Sequence, residues 1–248
     1  MLLNGVAATS AAYLKETASS HPCAKHPLFE RLNRADEQPL TPAQASAMLV
    51  NYDVHAGLLR RLLLSAAAYM PEPAVGFVLE NVRNEYGNGD YTRCHEGQLH
   101  DVIDRVCKIG GIESDTVIRN EGLVKCGVRM YMRTVVDFYQ PTSEDGKPIK
   151  DMRGPAITAG AITATELMAI EEFKAMQIAF RKFQLADHRW FDHVNVECDH
   201  GEESLALAEY FIDKHNEREA VEFGFMNTLA ANVHLYDGLL DAIKEHGD

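Results

Sequence analysis

"LTPAQASAMLVNYDVHAGLLRRLLLSAAAYMPEP", residues 40–73, decides the fold class. Thr41 stands where an N-cap belongs, Pro42 suits the first helical position, and Gln44 completes a capping box. From there the chain can stay helical to Met70, where "MPEP" stops it. Leu58 and Leu62, with Leu59 and Leu63, give the four-residue repeat of a buried helix face. One helix of this length, apolar along one side, needs other helices to cover it.

The rest of the chain supplies them. A second helix is expected from about Glu72 to Glu85, ending at "YGNGD", where two glycines and an asparagine block its path. "Leu123–Tyr139" reads as another helix, closed by the loop "QPTSEDGKP". From Pro155, "AITAGAITATELMAIEEFKAMQIAFRKF" reads as one helix or two abutting ones. "DHRWFDHVNVECDH" then opens a further helix with Asp187 as its expected N-cap. In the last stretch, about Glu217 to Lys244, Phe225, Leu229, Val233, Tyr236, Leu240 and Ile243 recur at spacings of three and four, one core-facing stripe. No repeat, no low-complexity tract and no period-two segment appears. The expectation is one all-α domain over 1–248, with an N-terminal lead-in at 1–40 and a helical core at 41–248.

Composition bounds the function. Hydrophobic residues make up 46% and charged residues 25%, ordinary values for a soluble protein with an ample core. A net charge of −13 argues against nucleic-acid binding, which favours a basic stripe. Five cysteines without a CxxC pair make a poor disulfide framework and fit a reducing cytoplasm. "MLLNGVAATSAAYLKE" lacks the pattern of a signal peptide, and no uncharged apolar run approaches the roughly 20 residues that span a membrane. A small-molecule substrate is therefore the expected partner, with no nucleic acid and no membrane, and a homodimer as the candidate assembly.

"HVNVECDH", residues 193–200, carries the sharpest chemical signal. At about 100° per residue, Glu197 lies near 40° and His200 near −20° from His193, so all three share one helix stripe. Asp192 and Asp199 fall about 80–100° outside it. Upstream, "NEYGNGDYTRCH" places Glu85 ten residues before His95. "ATELMAIEEF" places Glu166 among Ile162, Ala164, Leu167 and Met168, where an unpaired carboxylate is expensive to bury. Three carboxylates and three imidazoles form the inventory of a two-metal site for a hard-to-borderline divalent ion. Cys94 and Cys198 have the wrong spacing for a zinc–thiolate site.

The order Glu85-x9-His95, Glu166, His193-x3-Glu197-x2-His200 resembles the haem-oxygenase-like di-iron oxidases and oxygenases, from roughly Thr41 to the end of the chain. The resemblance implies a seven-helix haem-oxygenase-like bundle binding two non-haem Fe(II) ions through Glu85, His95, Glu166, His193, Glu197 and His200. It also implies O2 as co-substrate. Glu197 departs from the Asp common at that place, which alters whether the carboxylate bridges or chelates. Some members add a Glu from the first long core helix. Here residues 41–70 hold none, and only Asp53 or His55 could substitute. Expected chemistry is oxidation of a small, amino-acid-derived metabolite by N-oxygenation or oxidative C–C cleavage, with decarboxylation a further known outcome, in specialised-metabolite biosynthesis. Carboxylates about 4 Å apart repel by roughly 4 kcal/mol at an effective dielectric near 20. With Gly87 and Gly89 weakening the segment between Glu85 and His95, the helix there is expected to fray without metal and order when it binds.

Substrate contacts are expected from Tyr52, Trp190 and Phe191, or these pack the core. Arg129 and Arg133, with Lys125, form a basic stripe that holds a substrate carboxylate or is a solvated helix face. His188 reads as a surface residue at a helix start, and His21 and His26 as structural or exposed. Glu171 and Glu172 compete with Glu166, and Glu80 with Glu85. Met130 and Met132 read as core filler. Two other functions compete. One is a metal-independent enzyme of the same fold, of thiaminase or quinone-cofactor-synthase type, with Cys126, midway along a central helix, as nucleophile. The other is a non-catalytic metal-binding helical protein, although a ferritin-like bundle would show a second Glu-x-x-His pair.

Overall fold

A computed structural model describes residues 9–246 except 144, 148 and 150, and of residue 91 and residues 192–199 it describes the backbone only. Ten α-helices appear among the described residues: α1 (Ser10–Ser20), α2 (Pro27–Asn33), α3 (Pro42–Tyr69), α4 (Glu72–Glu85), α5 (His95–Gly110), α6 (Ser114–Ile118), α7 (Cys126–Tyr139), α8 (Arg153–Ala179), α9 (His193–Glu209) and α10 (Arg218–Glu245). Seven of these have fourteen residues or more, α3, α4, α5, α7, α8, α9 and α10. The other three are short. No β-strand occurs among the described residues.

The ends of α3 are where local chemistry puts them. Gln44 N–H donates to Thr41 Oγ1 (3.2 Å) and Thr41 N–H to Gln44 Oε1 (2.9 Å), so both members of the capping box are formed. α8 is a single helix, with Pro155 inside its first turn, where the missing N–H is harmless. Pairing α8 with α10 makes the centre of the bundle, and two glycines let them touch. A Cβ on Gly160 would stand 2.0 Å from the Val221 carbonyl oxygen, and one on Gly224 1.9 Å from the Ile157 carbonyl oxygen. Side chains of any size would force the helices apart. Phe225, Leu229, Tyr236, Leu240 and Ile243 bury the expected stripe of α10, with Val233 half-buried.

Three expectations need correction. The stretch before Thr41 does more than lead in: Leu14, Cys23, Leu28, Phe29 and Leu32 are buried in the same core as α3 and α10. Cys126 opens α7 rather than lying midway along it, and is exposed. α9 begins at His193, not beside Asp187, because residues 189–192 wind into a 3-10 turn first. Cys23, Cys94, Cys107 and Cys126 are all unbridged. No helix among the described residues is long and apolar enough to cross a membrane.

Candidate functional site

Glu85 is the last residue of α4 and His95 the first of α5. The intervening link folds back on itself through Gly87 (φ 72°), Asn88 (φ 57°) and Gly89 (φ 87°), three successive left-handed residues. A Cβ on Gly87 would lie 2.8 Å from the Arg93 carbonyl carbon and the Cys94 nitrogen, so glycine is required there twice over. The result brings Glu85 Oε1 to 2.9 Å from His95 Nδ1. These glycines form a turn between two helices. They are not interior helix positions, so the helix-propensity penalty behind the expected fraying does not arise.

Glu166 projects from the small-residue face of α8 and is 6% exposed. Asn81 Nδ2, one turn before Glu85 on α4, donates to its Oε1 at 2.6 Å. Its Oε2 lies 3.7 Å from Nδ1 of the buried His200 on α9. Two Glu–His pairs thus come from four helices. Among the described residues no group of three His, Cys, Asp or Glu converges tightly enough to hold a metal ion by itself. The side chains of His193 and Glu197 lie outside the described residues.

Glu85, His95 and Glu166 line one cavity, together with Tyr52, His55, Arg60, Tyr139, Glu172, Phe173 and Trp190. His55 is wholly buried, edge-on between Tyr52 (5.2 Å) and Tyr131 (5.0 Å). Burial lowers its pKa to about 3 against the opposing pull of Glu85, so the imidazole is neutral. Its Nδ1 has no hydrogen-bond partner among the described residues. Asp53 also borders the cavity but is engaged by His100 Nε2 at 3.1 Å, an attraction that raises the His100 pKa. On the far side, Glu172 accepts from Tyr52 (2.9 Å) and Tyr236 (2.6 Å). Burial raises its pKa, and the two hydroxyls pull the other way. Phe173 and Trp190 close this end, ring centroids 5.0 Å apart.

The structure therefore gathers Glu85, His95 and Glu166, with His200 against Glu166, and it places Tyr52 and Trp190 in the cavity wall. Arg129 and Arg133 are not there: both are exposed and line a separate surface depression with Val54 and Met132. Lys125 pairs with Glu245. Glu80 and Glu171 are exposed and Phe191 is buried in the core. His188, expected at the surface, has a covered side chain whose Nε2 lies 2.8 Å from Asp101. His26 is structural, capping α2 and meeting Asp237 at 3.1 Å. Met130 is exposed and Met132 half-buried. Arg60, Asn81, Tyr139 and Thr165 are cavity or supporting residues that sequence reasoning missed. Asn81 had a legible signal, four residues before Glu85 and hence on its face.

The donor set suits a hard-to-borderline divalent metal: carboxylates, imidazoles and no thiolate in the cavity wall. The orphaned Nδ1 of His55 is a buried lone pair or N–H that a ligand in this cavity could satisfy.

No protein-family model and no curated protein matches the sequence. The fold is similar to two crystal structures of a CADD-like protein of unknown function from Nostoc punctiforme PCC 73102. The 2.00 Å structure gives a TM-score of 0.69 at 15% identity, covering 93% of this chain and 96% of that one. The 1.35 Å structure gives 0.68 at 14%, covering 94% of each. At this identity the likeness shows the all-α architecture and nothing of the chemistry.

Proposed function

We propose that the protein is a non-haem di-iron enzyme that uses O2 to oxidise a small, amino-acid-derived metabolite. The reading is carried by one observation: Glu85, His95 and Glu166, from three helices, face a single cavity, with Glu166 buried and backed by His200. Glu85, His95, Glu166 and His200, joined by His193 and Glu197, would hold the metals, with His55 a further candidate. Two ferrous ions would supply the electrons and open coordination positions for O2. The protein's own part is legible in its residues. Asn81 donates to Oε1 of Glu166 and so orients the carboxylate that would ligate. Tyr52, Phe173 and Trp190 form an aromatic cluster on one side of the cavity, which would shield the reacting centre from water.

The thiol-dependent alternative loses its nominated nucleophile, because Cys126 is exposed and outside the cavity wall. The deciding experiment is an anaerobic Fe(II) titration of metal-stripped protein with Glu166→Ala alongside. Two irons per chain, reduced in the variant, are expected. Absence of specific iron binding by the folded protein would sink the proposal. Single-turnover O2 consumption with product formation then separates an enzyme from a metal store.

A further inference from the structure

Arg60 sits where a cation is hard to explain by folding alone. Its side chain projects from α3 into the wall of the cavity and is only 8% exposed. A guanidinium offers five N–H donors in a planar fork. Here one terminal nitrogen meets Glu96 Oε1 at 3.0 Å, while Nε is buried with no hydrogen-bond partner among the described residues. Leaving such a donor dry is unfavourable. Glu96, in contrast, is half in water, with 51% of its side chain exposed, and can leave at little cost. The pair is lopsided: a buried cation with a spare donor at Nε, covered by a carboxylate that can swing out.

We propose that Arg60 anchors the carboxylate of an organic acid in this cavity, and that Glu96 holds the place until the acid displaces it. A planar carboxylate matches the guanidinium fork with two parallel hydrogen bonds, which Glu96 does not supply. Beyond the anchor the wall carries an apolar stretch, Leu59, Leu63, Leu99 and Phe173, beside the carboxylates and imidazoles. The fitting ligand is a monocarboxylate with an apolar segment. A second carboxylate on the ligand would face Glu85 and Glu166. The inference deepens the proposed oxidation and rests on it for what happens to the bound acid, whereas the binding is testable without turnover.

Trp190, the single tryptophan, lines the same cavity and reports on its contents. Its fluorescence would be followed in anaerobic protein, with and without Fe(II), during titration with butyrate and hexanoate and with the matching amides. At least tenfold tighter binding of an acid than of its amide is expected. Arg60→Gln should abolish that preference, and Glu96→Gln, a change at an exposed site, should tighten acid binding severalfold. Equal binding of acid and amide, no response to either, or an unchanged preference in Arg60→Gln would overturn the assignment. Should Arg60→Gln fail to fold, Glu96→Gln decides, and no tightening overturns it. Iron titration of the same variants separates the two readings. Iron retained while acid preference is lost places the defect at the anchor. Acid preference in a protein that never binds iron removes the di-iron reading alone.

Discussion

Asn81 and Glu166, from α4 and α8, meet through a 2.6 Å hydrogen bond in which both partners are buried. Asn81 therefore orients the Glu166 carboxylate by holding its Oε1. A partner of this kind typically governs metal affinity tenfold to a hundredfold, on the order of 1–3 kcal/mol. Asn81→Ala should weaken Fe(II) binding by that factor without reducing the number of sites. Calorimetric titration of the apo-protein measures it, and an unchanged dissociation constant would show that Asn81 is packing only.

Gly87 ties Glu85 to His95. Its positive φ and its close approach to the Arg93–Cys94 peptide leave no room for a methyl group. Gly87→Ala should destabilise the protein by about 1–3 kcal/mol, the range for a non-glycine residue held in a sparsely populated conformation. It should also weaken metal binding, because the turn sets the 2.9 Å Glu85–His95 contact. Urea unfolding together with iron titration reads both effects. Gly89 has a positive φ but open space around its Cα, so Gly89→Ala should disturb stability and leave the close approach intact.

The helix borders that were legible in the sequence are those with local chemistry of their own. Thr41, Pro42 and Gln44 announce the start of α3, and the glycines after Tyr86 announce the end of α4. Glu166 was legible because it stands alone among small apolar residues. Arg60 was not, since Arg61 sits beside it and sequence does not say which of two adjacent arginines turns inward; Arg60 is buried and Arg61 exposed. Arg129 and Arg133 stand four residues apart in the sequence, but only tertiary packing shows that both are exposed and line a separate depression. The start of α9 was misplaced because the Arg189–Asp192 turn is held by long-range contacts, including that of His188 with Asp101.

His55 makes the metal-free protein acid-sensitive. Its pKa is 6.5 unfolded and about 3 folded, so the unfolded chain takes up a proton as pH falls below 6.5 while the folded one does not. Its stabilising contribution is complete above pH 6.5 and is lost as pH falls towards 3. At about 1.36 kcal/mol per unit, wild type should lose roughly 2 kcal/mol through this group between pH 7.5 and 5. His55→Phe, which keeps an aromatic ring between Tyr52 and Tyr131, should not show that loss. Urea midpoints at the two pH values check it, and parallel pH dependence of the two proteins would exclude His55 as the source.

Glu172 works in the opposite direction. Burial raises its pKa above the ordinary 4.5, so the folded state holds a proton that the unfolded chain releases first. Its contribution is complete below about pH 4.5 and is lost as pH rises through the folded value, after which it is constant. Tyr52 and Tyr236 limit the loss, because their hydroxyls donate to the carboxylate once it is charged. Glu172→Gln removes the titrating proton and keeps a partner for each tyrosine, its carbonyl accepting from one hydroxyl and its amide donating to the other. The variant should therefore gain on wild type as pH rises from 4.5 and reach a constant advantage once Glu172 is ionised. Melting temperatures of both apo-proteins across pH 4.5 to 8 measure that gap. A gap that stays constant over the whole range would mean that Glu172 does not change its charge there. A gap that closes with rising pH would mean that the tyrosine hydrogen bonds outweigh burial and that the carboxylate is the form the fold prefers.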